Sequence, residues 1–158
     1  MTTPGNVADF EPGQILRALE AHHVRYVVIG AIAAIAAGAP ILTTDLDAKL
    51  RSVTAPEGVP FPIEAETLAN ADTWTLTTRV GDVDLMFLPA GTRGYDDLRH
   101  GARRERIAGV TVTVAALADV IRSKEAANRE KDNMQLPILR RTLEQTRVHR
   151  PGTDGREQ

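Results

Sequence analysis

Apolar residues along this chain follow two periods, and the switches between them mark its elements. Ile15, Leu16 and Leu19 recur at helical spacing behind Glu11-Pro12, and proline suits a first turn, so a helix is expected to open there. Arg25–Ile29 is a β-branched and aromatic run that reads as a buried strand. It ends at Gly30, after which Ala31–Ala37 is expected to form a short helix of small residues, stopped by Gly38-Ala39-Pro40. Ile41–Leu50 is expected to be the second strand, and the proline- and glycine-rich run Ser52–Pro62 a loop. Thr73–Thr78 and Val80–Leu88 read as a hairpin around Arg79 and Gly81. In its second arm Val83, Leu85 and Phe87 face one way, and Asp82, Asp84 and Met86 the other.

Farther on, Gly91–Gly94 reads as a turn, Tyr95–Arg99 as one helical turn and Val110–Val114 as a short alternating strand. Two closing helices are expected: Ala115–Arg129, with Leu117, Val120 and Ile121 inward, and Leu136–Val148, with Leu139 and Leu143 inward and Pro137 in its first turn. This order predicts an α/β (α+β) fold with a mixed sheet and helices packed on one face. Residues 11–148 are expected to make a single domain, 1–10 a flexible arm and 149–158 a disordered tail.

With 158 residues, one domain can bury a sizeable core. The absence of cysteine removes disulfides and thiolate chemistry and fits a reducing, cytoplasmic setting. Met1–Gly13 lacks a signal-peptide pattern, and the apolar stretch Tyr26–Leu42 is interrupted by Gly30, Gly38 and Pro40, so no membrane association is expected. Charge changes the picture more. Residues 1–92 carry 5 basic and 11 acidic groups, whereas residues 93–150 carry 13 basic and 8 acidic. An acidic half fit for a metal is followed by an arginine-rich half fit for phosphate, or for plain solvation of helix faces.

The acid pair Asp45-Leu46-Asp47 is the sharpest chemical signal. Residues two apart on a strand share a face, about 7 Å apart at Cα. Like charges so close repel, an arrangement that a cation relieves; an exposed strand end is the alternative. Asp84 on a later strand makes a third acid, with Asp82 in reserve, and three acids beside a glycine turn can hold a divalent metal against phosphates. Gly30 begins a helix, where the backbone N–H groups of Ala31 and Ile32 can face an anion; close packing explains such a glycine equally. Lys124 extends the apolar stripe of Leu117 and Val120, so it either snorkels outward or reaches a buried anion. Arg129, Lys131 and Asp132 lie at or past that helix's end, where charges are usually solvated. His22 and His23 have no third ligand at metal spacing and read as structural, and Trp74 and Tyr95 read as core or as stacking surfaces.

Together, Val27-Val28-Ile29-Gly30-Ala31, Asp45-Leu46-Asp47 and Val83-Asp84-Leu85 resemble the nucleotidyltransferase superfamily with the polymerase-β-type fold, nearest its AbiEii- and MenT-like toxin branch. The run from Asp119 to Asp132 is similar to that branch's C-terminal lysine-and-aspartate motif, and the resemblance spans residues 11–148. It implies a metal-dependent transferase that uses Mg²⁺ (or Mn²⁺) and moves NMP from an NTP substrate to an RNA acceptor, the tRNA 3′ end among them. It also implies a place in a toxin–antitoxin pair, with a cognate antitoxin or toxin protein as partner. On the same resemblance Asp45, Asp47 and Asp84 are the metal ligands, Gly30 and Ala31 cradle the nucleotide's phosphates, Lys124 neutralises the triphosphate and Asp132 supports the site. This chain departs from the pattern at Ala31, where relatives carry Gly or Ser. It also lacks an arginine before the acid pair and is short between Lys49 and Phe61. A degenerate binding module or antitoxin, and transfer to a protein or small molecule, are therefore the alternative readings.

Overall fold

Strand β1 (Tyr26–Ile29) is built from four large, mostly β-branched side chains, and all four are buried. Since successive side chains point to opposite faces, burial of the whole strand means that the sheet is enclosed from both sides here. Helices on one face alone do not account for this. The computed structural model describes residues 10–43, 45–50, 73–78 and 81–149, in main chain only at 45, 47–50 and 76–78. Expectations for the arm before Phe10, the 52–62 loop, the shortened 49–61 connection beyond Leu50, the hairpin turn at Arg79 and residues 150–158 lie outside the described residues.

Among the described residues the chain forms α1 (Pro12–Ala21), β1, α2 (Gly30–Ala36), β2 (Asp45–Leu50), β3 (Thr73–Thr78) and β4 (Gly81–Met86). It continues with α3 (Tyr95–Gly101), β5 (Arg103–Ile107), β6 (Val110–Val114), α4 (Leu117–Ala127) and α5 (Glu130–Val148). The fold is mixed α/β. Its six strands lie in the order β3-β4-β2-β1-β6-β5, with β2–β4 and β1–β6 parallel and the other neighbours antiparallel.

Register sorts the side chains. Val28 lies opposite Ala48 and Val114, and Ala48 opposite Leu85, so these share a face with Leu46 and Val83, which are 0 % and 4 % exposed. Helix α1 meets the sheet on this face: Ile15 and Leu16 are buried, and the Tyr26 hydroxyl donates to Glu20 Oε1 at 2.8 Å. Burial, then that hydrogen bond and the charge of Glu20, push the Tyr26 phenol well above its ordinary value. Phe10, just ahead of α1, packs against Gly81, whose φ of +121° suits glycine.

Four local expectations need correction. The second strand begins at Asp45 rather than Ile41, since Pro40 lacks a ladder donor and Leu42 is 94 % exposed. The helix after Gly94 makes two turns and not one. The last helix begins at Glu130 rather than Leu136, so Pro137 lies inside it and not in its first turn. It is tolerated because Asn133, whose carbonyl it leaves unbonded, is exposed, as is Pro137 itself. Finally, β5 is a strand that the apolar pattern did not foretell, its Arg103-Arg104-Glu105-Arg106 run having no apolar alternation.

Candidate functional site

Parallel pairing of β2 with β4 sets Asp45 opposite Asp82 and Asp47 opposite Asp84. Strands lie about 4.8 Å apart, so four aspartate positions make a compact rectangle on the face turned away from Leu46 and Val83. Asp84 is half-buried and accepts a hydrogen bond from the Thr75 hydroxyl of β3 at 2.6 Å, whereas Asp82 is exposed. That agrees with placing Asp84 deeper than Asp82. The side chains of Asp45 and Asp47 lie outside the described residues, so only their register positions are fixed. Among the described residues no three acids or histidines gather as a metal cluster.

Asp47 also lies opposite Ile29, the last residue of β1, so Gly30 follows directly beside the acid pair. Gly30 has φ +67°, which lets β1 turn straight into α2, and Ala31 behind it is buried. A small cleft of about 50 Å³ opens here, lined by Ile29 and Gly30, by Met86 two residues beyond Asp84, and by Asp119, Lys124 and Arg129. The glycine turn and Lys124, far apart in sequence, thus share one cleft at the edge of the aspartate face.

Lys124 is held by the corner between the last two helices. Asn128 takes the left-handed conformation that ends α4, Arg129 is extended, and α5 starts at Glu130. The Asn133 amide donates to Asn128 Oδ1 at 2.9 Å, fastening the corner. This reversal brings Lys124 onto Asp132 (Nζ to Oδ1, 2.8 Å), and Arg129 Nε onto the other carboxylate oxygen at 2.6 Å. The Asp132 side chain is wholly buried and Lys124 12 % exposed, so Asp132 is not solvated and Lys124 does reach a buried anion. Burial opposes ionisation of Asp132 most strongly, but the Arg129 and Lys124 hydrogen bonds and charges together outweigh it and hold the carboxyl below its ordinary value. Its place in the first turn of α5 also favours an anion.

A second network escaped the sequence reading. Arg122 Nη2 bonds Asp97 at 2.9 Å and Asp119 at 3.0 Å, tying α3 to α4 beside the cleft. Burial pushes the Asp119 carboxyl up, the charge of Asp97 adding to it, while Arg122 and His100 oppose. The backbone N–H of Arg93 does most to hold Asp97 down; burial acts against it and Arg122 adds to it. The pairing of Asp119 with Arg122 is an (i, i+3) spacing readable in sequence, but Asp97 lies 25 residues from Arg122 and only the fold joins them. His22 and His23 are exposed at the end of α1, and Trp74 and Tyr95 are half-buried, away from the cleft lining.

Asp82 and Asp84 thus present carboxylates on β4, and Lys124 and Arg129 an ammonium and a guanidinium at the cleft beside Gly30. The chain matches no protein-family model and no curated protein.

Proposed function

We propose that this protein is a metal-dependent nucleotidyltransferase of the polymerase-β type that moves NMP from an NTP to an RNA acceptor, the tRNA 3′ end being the favoured one, as a component of a toxin–antitoxin pair. The observation that carries the reading is the register that sets Asp45 and Asp47 of β2 against Asp82 and Asp84 of β4, with Gly30 beside Asp47. Oxygen-only carboxylate positions at that spacing fit a hard divalent ion. When bound, Mg²⁺ or Mn²⁺ would neutralise the triphosphate and polarise its α-phosphorus. Asp45, Asp47 and Asp84 would hold it, and Asp84, oriented by Thr75, would also help to draw the proton from the acceptor hydroxyl. The hydroxyl oxygen would bond to the α-phosphorus as the bond to the β-phosphate oxygen breaks and pyrophosphate leaves. Among the described residues Lys124 bonds Asp132 with one of its three donors, and the other two would serve a phosphate at the cleft. Asp132 would act as a positioning residue for Lys124.

The test is incubation with each labelled NTP, Mg²⁺ and total tRNA, alongside Asp45→Ala, Asp47→Ala and Asp84→Ala. Label on RNA, lost in each variant while the fold persists, is the expected result. Equal labelling by the variants would overturn the metal site.

One observation favours the second reading, a degenerate binding module or antitoxin. Lys124 and Arg129 share the one carboxylate of Asp132, which offsets one of their two charges and weakens their attraction for phosphate. Absence of label together with absence of NTP binding by calorimetry would select it.

A further inference from the structure

Among the described residues strand β5 closes one edge of the sheet, and its Arg103, Arg104 and Arg106 are exposed. Arg99 and His100, also exposed, precede it at the end of α3. Register decides which way these arginines point. Arg104 lies opposite Thr113 and Arg106 opposite Thr111, one residue out of phase with Val114 and Val112 of the core face. They therefore stand on the same face of the sheet as the four aspartate positions. Arg104 leans inward over β6, its Nη1 3.4 Å from Thr113 Oγ1 and its Nη2 3.4 Å from the Thr111 carbonyl. Among the described residues no carboxylate forms an ion pair with Arg104 or Arg106, whereas Arg103 sits 3.7 Å from Glu105.

One inward charge suffices to protect a sheet edge from pairing with another strand. Two guanidiniums without a carboxylate partner among the described residues, about 7 Å apart along a strand and on the face of the acid positions, go beyond that need. Their repeat is on the scale of successive phosphates in an extended chain, and the guanidinium fork matches phosphate oxygens. Strand β5 is three strands from β2, about 14 Å across the sheet, with the covered strand β1 between them. We infer that Arg104 and Arg106 form the contact surface for the phosphodiester backbone of single-stranded RNA. This deepens the transferase reading by placing its acceptor, and it rests on that reading only for what happens to the RNA end.

The experiment is fluorescence anisotropy of a labelled single-stranded RNA across a salt series, with the wild-type protein and with Arg104→Gln/Arg106→Gln. The expected result is a loss of affinity of about tenfold or more and a fall in the salt slope of about 0.7 for each arginine removed. These side chains are exposed, so an unchanged melting temperature checks the fold. Wild-type affinity and slope in the double variant would overturn the inference, as would no RNA binding by wild type at low salt. Tighter binding of DNA of the same sequence, or equal binding of polyglutamate, would overturn the assignment to RNA. The transferase reading is judged separately, by Mg²⁺-NTP calorimetry and label transfer. RNA binding lost in the arginine variant, with no transfer by wild type, would retain the surface and remove the enzyme.

Discussion

A carboxylate carried into a protein interior costs several kcal/mol unless donors meet it, and at Asp132 both oxygens are met, at 2.8 and 2.6 Å. The two donors are not equivalent. Lys124 is 12 % exposed and Arg129 54 %, so Arg129 can return to water when its partner is lost and Lys124 cannot do so as readily. Asp132→Ala is therefore expected to destabilise the protein by about 3–5 kcal/mol, the range for breaking a buried pair. Arg129→Gln should cost about 1.5 kcal/mol, the low end for a hydrogen bond to a charged group. Urea unfolding of both variants checks the order. Because the folded Asp132 carboxyl lies below its ordinary value, the unfolded chain binds the proton first on acidification. Its contribution is thus fully present above about pH 4 and is lost as pH falls through the depressed value. Wild-type urea midpoints should fall between pH 5 and 3, and Asp132→Asn should flatten that fall.

At the scale of elements, the alternation Asp45-Leu46-Asp47 divides one strand between core and site, so substitutions on its two faces should differ in kind. Leu46→Ala, at 0 % exposure, is expected to cost about 2–5 kcal/mol. Asp82→Ala, on the exposed face of the paired strand, should change stability by less than about 0.5 kcal/mol. Chemical denaturation of the two proteins separates them. The same alternation is why β2 and β4 were legible in the sequence: a period of two with apolar residues on one phase leaves little freedom of register. Leu117, Val120 and Ile121 made α4 legible in the same way. Strand β5 was not, because an edge strand takes half its definition from its neighbour β6, and its own arginines carry no apolar phase. The start of α5 was missed because Lys131 and Asp132 read as solvated charge. They are helical because Asn128 turns the chain and Lys124 binds Asp132, a contact eight residues long. Of the candidate site, pattern placed the acids of β4 in depth order and set Lys124 on an inward stripe; the Arg122 network with Asp97 and Asp119 needed the fold.

The whole molecule joins an acidic first part to an arginine-rich second part, and the sheet is where they meet: β2 and β4 bring the aspartates, while β5 and the α4–α5 corner bring the cations. On the proposed reading, an ion bound among the acid positions of β2 and β4 should stabilise the fold rather than merely sit on it. Linkage gives the size. A ligand that binds only the folded state at a hundred times its dissociation constant adds about 2.7 kcal/mol. For a chain of this length each kcal/mol raises the melting temperature by about 2–4 °C, so saturating Mg²⁺-NTP should raise it by about 5–11 °C. The rise should vanish in Asp47→Ala, whose position faces both Ile29 and Asp84, and should persist in Arg104→Gln/Arg106→Gln, whose changes lie three strands away. Scanning calorimetry of the three proteins with and without Mg²⁺-NTP measures it. A shift that survives in Asp47→Ala would mean that the acidic half is a solvated surface, and that the two charge regions share a sheet without sharing a reaction.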